Sequence, residues 1–313
     1  MKNKIISIFA ILTLSLFPAA PTFAEEESTD SFSISPMYQR ITLIPGERYT
    51  GSIIVLNPFK STKNLHYSAS VSPYTPVGDE YDPDFSTSSE STEITKWITF
   101  ENPEGDLAPN EEEKVKFTID VPEDSPAGGQ YAAIMIENVP DHGNDSAGEG
   151  LVIESTIRMA SILYATVMGD TVESGDIITN SFPSFVTELP VDGLVSFRNT
   201  GNVHLDATTF TQVFPLFSRE EIYTNEESPM ENLIMPNTTR SIVTKWEDAP
   251  TVGIFHIIQT TKFAEKSSIV DKYLFICPIW LLAVIAFIII LPIILVFTGH
   301  KRKQRHAKQS IED

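Results

Sequence analysis

The sequence predicts an all-β extracellular part, built as two tandem immunoglobulin-like β-sandwiches, followed by one transmembrane α-helix. Three observations predict it: many short runs of alternating polarity, an internal repeat, and an uncharged apolar stretch, Leu274–Phe297, near the end of 313 residues. Alternation with a period of two marks strands with one dry and one wet face, and many such strands without helical periodicity favour sandwiches.

The N-terminus reads as a signal peptide over residues 1–24. Lys2 and Lys4 precede the apolar run Ile5–Phe17, and Thr22-Phe23-Ala24 offers small residues where a signal peptidase cuts. The mature chain then begins at Glu25.

The first sandwich is predicted over residues 31–139. Val115, Phe117, Ile119 and Val121 alternate with Lys114, Lys116, Thr118 and Asp120, whereas Tyr131–Ile136 is a more continuous apolar run, expected of a more deeply buried strand. Tyr49–Leu56, Leu65–Val71 and Trp97–Phe100 are further strands, with Trp97 a core residue. Residues 140–150 are polar and glycine-rich, either a linker or a long exposed hairpin. The second sandwich follows over residues 151–263, with strands at Ile157–Val167, Leu194–Arg198, Leu205–Val213, Ser241–Trp246 and Ile254–Thr260. The two copies share an order of signals. Leu107-Ala108-Pro109-Asn110 matches Ile234-Met235-Pro236-Asn237, Asn57 before Asn64-Leu65-His66 matches Asn199 before Asn202-Val203-His204, and Gly129-Gln130-Tyr131 matches Gly253-Ile254-Phe255. The first copy is longer between these marks, and an acidic insertion, residues 75–91, holds the excess.

After a juxtamembrane stalk, residues 264–272, comes the predicted span, residues 273–298. The twenty-four uncharged residues Leu274–Phe297 within it would reach roughly 36 Å as a helix, enough for a hydrocarbon core of about 30 Å. The basic tail, residues 299–313, would stay in the cytoplasm, which places the protein in the cell membrane as a single-pass chain with its N-terminal part outside. Cys277, the single cysteine, falls inside that span, so no intrachain disulfide is possible. Without leader and tail the chain carries 15 basic and 40 acidic residues, a balance that repels nucleic acid and would suit basic partners or cations. A cysteine-free exported β-protein points to a bacterial surface.

Chemistry finds little support. There is no His-Glu-x-x-His, no glycine-flanked serine and no phosphate-cradling loop, and His66 and His204 occupy what read as matching structural positions. The chain is therefore not expected to be an enzyme, and no cofactor is expected. Loop-bound calcium is the nearest exception. Asp79, Glu80, Tyr81, Asp82 and Asp84 in the insertion, and Asp141, Asn144 and Asp145 in the linker, are the candidate binding-loop residues, although neither group has the spacing of a known calcium loop.

The layout resembles the WxL-interacting protein family of Gram-positive surface proteins. The residues that carry the likeness are Thr42-Leu43-Ile44-Pro45-Gly46-Glu47, Gly128-Gly129-Gln130-Tyr131-Ala132-Ala133-Ile134, Ile157-Arg158-Met159-Ala160-Ser161-Ile162-Leu163-Tyr164 and Asn199-Thr200-Gly201-Asn202-Val203-His204. The resemblance implies a first domain that engages peptidoglycan and a second that engages surface or host proteins. It implies no individual binding residue.

The expected function is thus that of a non-enzymatic, membrane-anchored cell-surface binding or scaffolding protein, with cell-wall polymer or a surface or host protein as partner. Alternatives are an accessory subunit of a membrane signalling or transport complex and, more weakly, a wall-acting enzyme. A strand-donating variant, like that of pilus chaperones, would be marked by an unpaired edge strand.

Overall fold

In the computed structural model, residues 31–61, 63–139, 156–225 and 230–294 are described. The expected signal peptide, the linker at 140–150 and the tail at 299–313 lie outside the described residues. Strands of the first domain are β1 (Ser33–Ser35), β2 (Tyr38–Leu43), β3 (Arg48–Leu56), β4 (Leu65–Pro73), β5 (Thr75–Val77), β6 (Asp82–Asp84), β7 (Ile98–Phe100), β8 (Glu104–Leu107), β9 (Glu112–Asp120), β10 (Gly128–Asn138) and β11 (Arg158–Val167). Those of the second are β12 (Gly175–Ser181), β13 (Phe185–Val186), β14 (Val191–Asn199), β15 (Leu205–Pro215), β16 (Tyr223–Thr224), β17 (Met230–Ile234), β18 (Thr239–Trp246), β19 (Gly253–Phe263) and β20 (Lys266–Ile276). Helix α1 covers residues 279–294.

Two immunoglobulin-like sandwiches result, and they share one path. In the first, β1-β3-β9-β7 faces β2-β11-β10-β4-β8; in the second, β12-β14-β18 faces β13-β20-β19-β15-β16, with β17 also on β15. Each domain's opening strand splits between its sheets, so that β2 lies parallel to β11 and β13 parallel to β20.

Period two explains the cores. Val115, Phe117 and Ile119 of β9 point inward with Ala132, Ile134 and Ile136 of β10. The other face of β10 is also covered: Tyr131, Ala133 and Met135 form a separate cluster with Tyr74 and with Met235 of the second domain. That double burial is why Tyr131–Ile136 reads as a continuous apolar run. Trp97 and Trp246 are both buried. The repeat has a common device. Buried Asn57 donates through Nδ2 to the carbonyls of Lys63 and Leu107 (3.0 Å each), and buried Asn199 does the same to Val203 (2.8 Å) and Ile234 (2.9 Å). Asn110 and Asn237, one in each copy, both hold positive φ in the turns that follow the repeated prolines.

The expected boundaries are corrected at two places. Arg158–Val167 was expected to open the second copy; as β11 it pairs along its whole length with β10, Glu137 against Arg158 through Gly128 against Val167, and completes the first domain. The expected stalk and the start of the expected span form β20, paired with β19 from Phe263↔Lys266 to Gly253↔Ile276. Leu274 and Ile276 are apolar because they fill the second core, and Cys277 closes it, its N–H donating to the Val186 carbonyl at 3.0 Å.

The expected span is corrected as well. Helix α1 takes only residues 279–294, residues 295–298 lie outside the described residues, and among the described residues no helix is long and apolar enough to cross a membrane.

Candidate binding surfaces

The acidic insertion bends away from the first sandwich and lands on the second. Strands β5 and β6 pair as a small hairpin, and Tyr81, at φ 65, crosses from it to the turn between β17 and β18. Its hydroxyl accepts the Met235 N–H at 2.9 Å and meets the Thr238 hydroxyl, while the Arg240 guanidinium stands 4.6 Å from the ring centroid. Burial raises the Tyr81 phenol's pKa. The Asp79 carbonyl accepts the Ser241 N–H at 2.9 Å. Asp84 stays local: its carboxylate accepts from the Ser86 N–H (2.8 Å) and hydroxyl (2.6 Å), and these bonds lower its pKa to about 2. Glu80 and Asp82 point to solvent. Among the described residues no group of three potential ligands is placed to hold a metal ion, and Asp141, Asn144 and Asp145 lie outside the described residues.

A second set of contacts joins the domains beside the connecting segment. The Gly129 N–H donates to the Asn202 carbonyl at 2.8 Å, and the Asn202 side chain receives the Val172 N–H at 2.7 Å and donates to the Asp170 carbonyl at 3.0 Å. Arg40 of β2 forms a two-pronged pair with Asp206 of β15 at 2.7 and 2.8 Å. His204 sits between the rings of Tyr131 and Tyr164, 5.8 Å from each centroid, its Nδ1 3.4 Å from the Tyr131 hydroxyl. Burial, then the nearby Arg40 charge, lowers its pKa to about 4. The expected match of His66 with His204 is corrected by register. Leu65 faces Leu107 and Leu205 faces Ile234, so His66 corresponds to Asp206; it pairs with Asp106 on the surface of the first domain. This junction was missed in the sequence. The one available signal was that the insertion occurs in one copy alone, as a segment serving the other copy would.

The third surface is the outer face of the second domain's larger sheet. Ile269, Tyr273 and Phe275 of β20, Ile254 of β19 and Phe185 of β13 are all exposed, Ile269 at 65% and Tyr273 at 57%. Register sets them side by side, Phe275 against Ile254 and Tyr273 against His256, while Phe185 stacks on Phe275 at 5.7 Å. His256 pairs with Asp271 at 2.6 Å and continues the row toward Phe214, 6.2 Å away. Among the described residues β20 pairs along its outer edge with β13, at Phe275 and Ile276, while β12 lies against its start, where the Asn180 amide donates to the Ser268 carbonyl at 3.1 Å and Lys266 pairs with Asp176. At the margin of the second core lies a partly open cavity of about 10 Å³, lined by Phe182, Thr211, Tyr223 and Trp246 among others. That is room for about one water and no substrate.

No family model matches the chain, and no curated protein matches it. Among solved structures it is similar to fimbrial chaperones. The class 5 fimbriae chaperone CfaA is 14% identical with a TM-score of 0.37, over 77% of this chain and 99% of that one. The YadV chaperone is 11% identical with a TM-score of 0.38, over 78% and 99%, and the E. coli chaperone DraB 11% identical with a TM-score of 0.36, over 77% and 97%. At these values no residue role, partner or compartment passes from them to this chain.

The family resemblance is corrected: no family model matches the chain, and the solved structures named here are chaperones, none of them a WxL-interacting protein. With it go the peptidoglycan-engaging first domain, the Gram-positive wall and the scaffold anchored there, and the expected alternatives of a membrane-complex subunit and a wall-acting enzyme are not carried further. The single-pass placement, outside to cytoplasm, is corrected by the helix lengths already given.

Proposed function

We propose that this is a non-enzymatic two-domain binding protein whose second domain takes a protein partner on the open face of its larger sheet. The observation that carries the proposal is the contiguous exposed patch Phe185, Phe275, Ile254 and Tyr273 on adjoining strands, with Ile269 on the same face of β20 beyond Asp271. Scattered exposed apolar residues are ordinary, but a joined aromatic and aliphatic row rimmed by charge is the usual make-up of a protein interface. Asp271, paired with His256 where the apolar patch ends, and a net charge of −20 favour an apolar patch flanked by Lys or Arg on the partner. The unpaired length of β20 supports a second reading, in which an extended segment of the partner adds to that edge.

The test replaces Tyr273 with a photo-crosslinking residue in the full chain, identifies the joined protein, and then measures its affinity as a purified pair. Tyr273→Glu and Ile269→Lys should each weaken binding at least tenfold, while Phe59→Glu, on an exposed loop of the first domain, should not. Equal affinity for all three variants refutes the face. Loss of binding in Ile269→Pro with Tyr273→Glu unaffected would instead favour strand addition, because proline removes an edge N–H.

A further inference from the structure

Two sandwiches joined by one short segment form a hinge unless contacts beyond that segment fix their angle. We infer that residues 75–91 are an interdomain strap with Tyr81 as its catch, and that it converts the hinge into one rigid body.

Three features place the strap where it resists rotation. The contacts around Asn202 lie beside the connecting segment; the Arg40–Asp206 pair continues the interface along β15, where Asp206 faces Leu233 of β17, and the Tyr81 contacts at the β17–β18 turn extend it to the edge of β18. The receiving site is itself fixed. Arg240 donates to the Leu233 carbonyl at 2.8 Å while standing over the Tyr81 ring, and Thr238 donates to the Met235 carbonyl at 2.8 Å. The root of the strap is clamped too. Tyr74 lies 6.0 Å from Phe85 and, edge-on, 6.0 Å from Tyr164, within the cluster that also holds Met235. The Asp79–Ser241 bond occupies a position on the outer edge of β18. A loop tip that satisfies a backbone N–H, a hydroxyl and a guanidinium of another domain is built to stay there.

This accounts for the unequal copies. The segment between β4 and β8 is longer in the first domain because it must reach the second; its counterpart between β15 and β17 has nothing to reach.

The test uses the full chain with spin labels on Phe59→Cys and Ile178→Cys, both exposed and in different domains, while native Cys277 is buried. The parent should give one narrow interdomain distance distribution. Tyr81→Ala, and separately Arg240→Ala with Thr238→Val on the receiving side, should broaden it at least twofold with each domain still folded by circular dichroism. Glu80→Ala, at the solvent-facing tip, should leave it unchanged. If Tyr81→Ala fails to fold, the receiving-side pair alone decides. A distribution as narrow as the parent's in the folded catch variants overturns the strap, as does a parent distribution that is already broad.

Discussion

Lowering the pH should weaken the fold through His204, and the size of the effect follows from where that ring sits. The imidazole lies between Tyr131 and Tyr164, with Arg40 and Asp206 already committed to each other beside it. Its pKa is held at about 4, against 6.5 for a free histidine, mainly by burial and then by Arg40. The unfolded chain therefore takes up a proton below about pH 6.5 while the folded chain refuses it until about pH 4. Stability is fully present above that window, declines as pH falls through it, and stops declining below it. At 1.36 kcal/mol per unit the whole window is worth about 3 kcal/mol. Carboxylates titrate over part of the same range, so the comparison is with His204→Phe, which keeps a ring between the tyrosines and cannot titrate. Urea denaturation at pH 7 and pH 4.5 should show the parent losing about 2–3 kcal/mol more than the variant. Equal losses in the two proteins would sink the assignment.

Two further substitutions test the repeated architecture. Asn199→Ala takes the side-chain donor from the Val203 and Ile234 carbonyls and one of two acceptors from the Gly201 N–H, which meets Asn199 Oδ1 at 2.8 Å and the Ser174 carbonyl at 3.0 Å. It should cost about 3–5 kcal/mol by thermal or chemical unfolding, with Asn57→Ala somewhat less because two carbonyls lose its donor. A change within 1 kcal/mol in both would show these asparagines to be incidental. Gly51→Ala would place its Cβ 2.3 Å from the ring of Phe117, which is 1% exposed and has no room to move. A loss of about 1–3 kcal/mol is expected from overpacking, read as a lowered denaturation midpoint, and an unchanged midpoint would contradict it.

The existence of most strands was legible, because alternation reports which side of a strand is dry. Neighbours were not. Ile157–Val167 was recognisable as a strand, but nothing in Arg158-Met159-Ala160-Ser161 says that it pairs with Glu137–Ile134 rather than with a later segment. The polar residues 140–150 looked like a natural border and drew the boundary there. At β20 the obstacle was different. Leu274-Phe275-Ile276 runs without a break into the apolar residues of α1, so a composition reading fuses core strand and helix into one stretch. The alternation of Ile269, Asp271 and Tyr273 outward against Val270 and Leu274 inward was the missed signal. The insertion was visible as excess length, but its acidic residues drew attention away from Tyr81, whose contacts are all tertiary. His66 and His204 matched by eye because the turn after Asn57 is longer than the one after Asn199, which hides a shift in register.

The second domain's core contains a polar layer that the apolar pattern gives no reason to expect, and it makes a last prediction. Fully buried Gln259 accepts the Thr244 hydroxyl at 2.9 Å and the Thr211 hydroxyl at 3.3 Å, and donates to Asn180 Oδ1 at 2.7 Å. Asn180 then donates to the Ser268 carbonyl, so one side-chain network ties β12, β15, β18, β19 and β20 across both sheets. On either side lie apolar clusters, Phe182, Trp246 and Phe255 in one and Phe197, Ala207 and Phe263 in the other. A nonspecific apolar contact would tolerate slippage of the edge strand β12, whereas this network is satisfied in one register. Gln259→Leu adds apolar surface yet leaves the buried Thr211 and Thr244 hydroxyls and the half-buried Asn180 Oδ1 without that partner, a net loss of about 2–4 kcal/mol. Amide exchange in β12 should rise first, before exchange in β14. Adding Thr211→Val and Thr244→Val removes two of those orphans and should recover most of the stability, but not the slow exchange of β12. Recovery of both would mean that apolar packing alone holds the strand in place, and that the polar layer has no part in fixing its register.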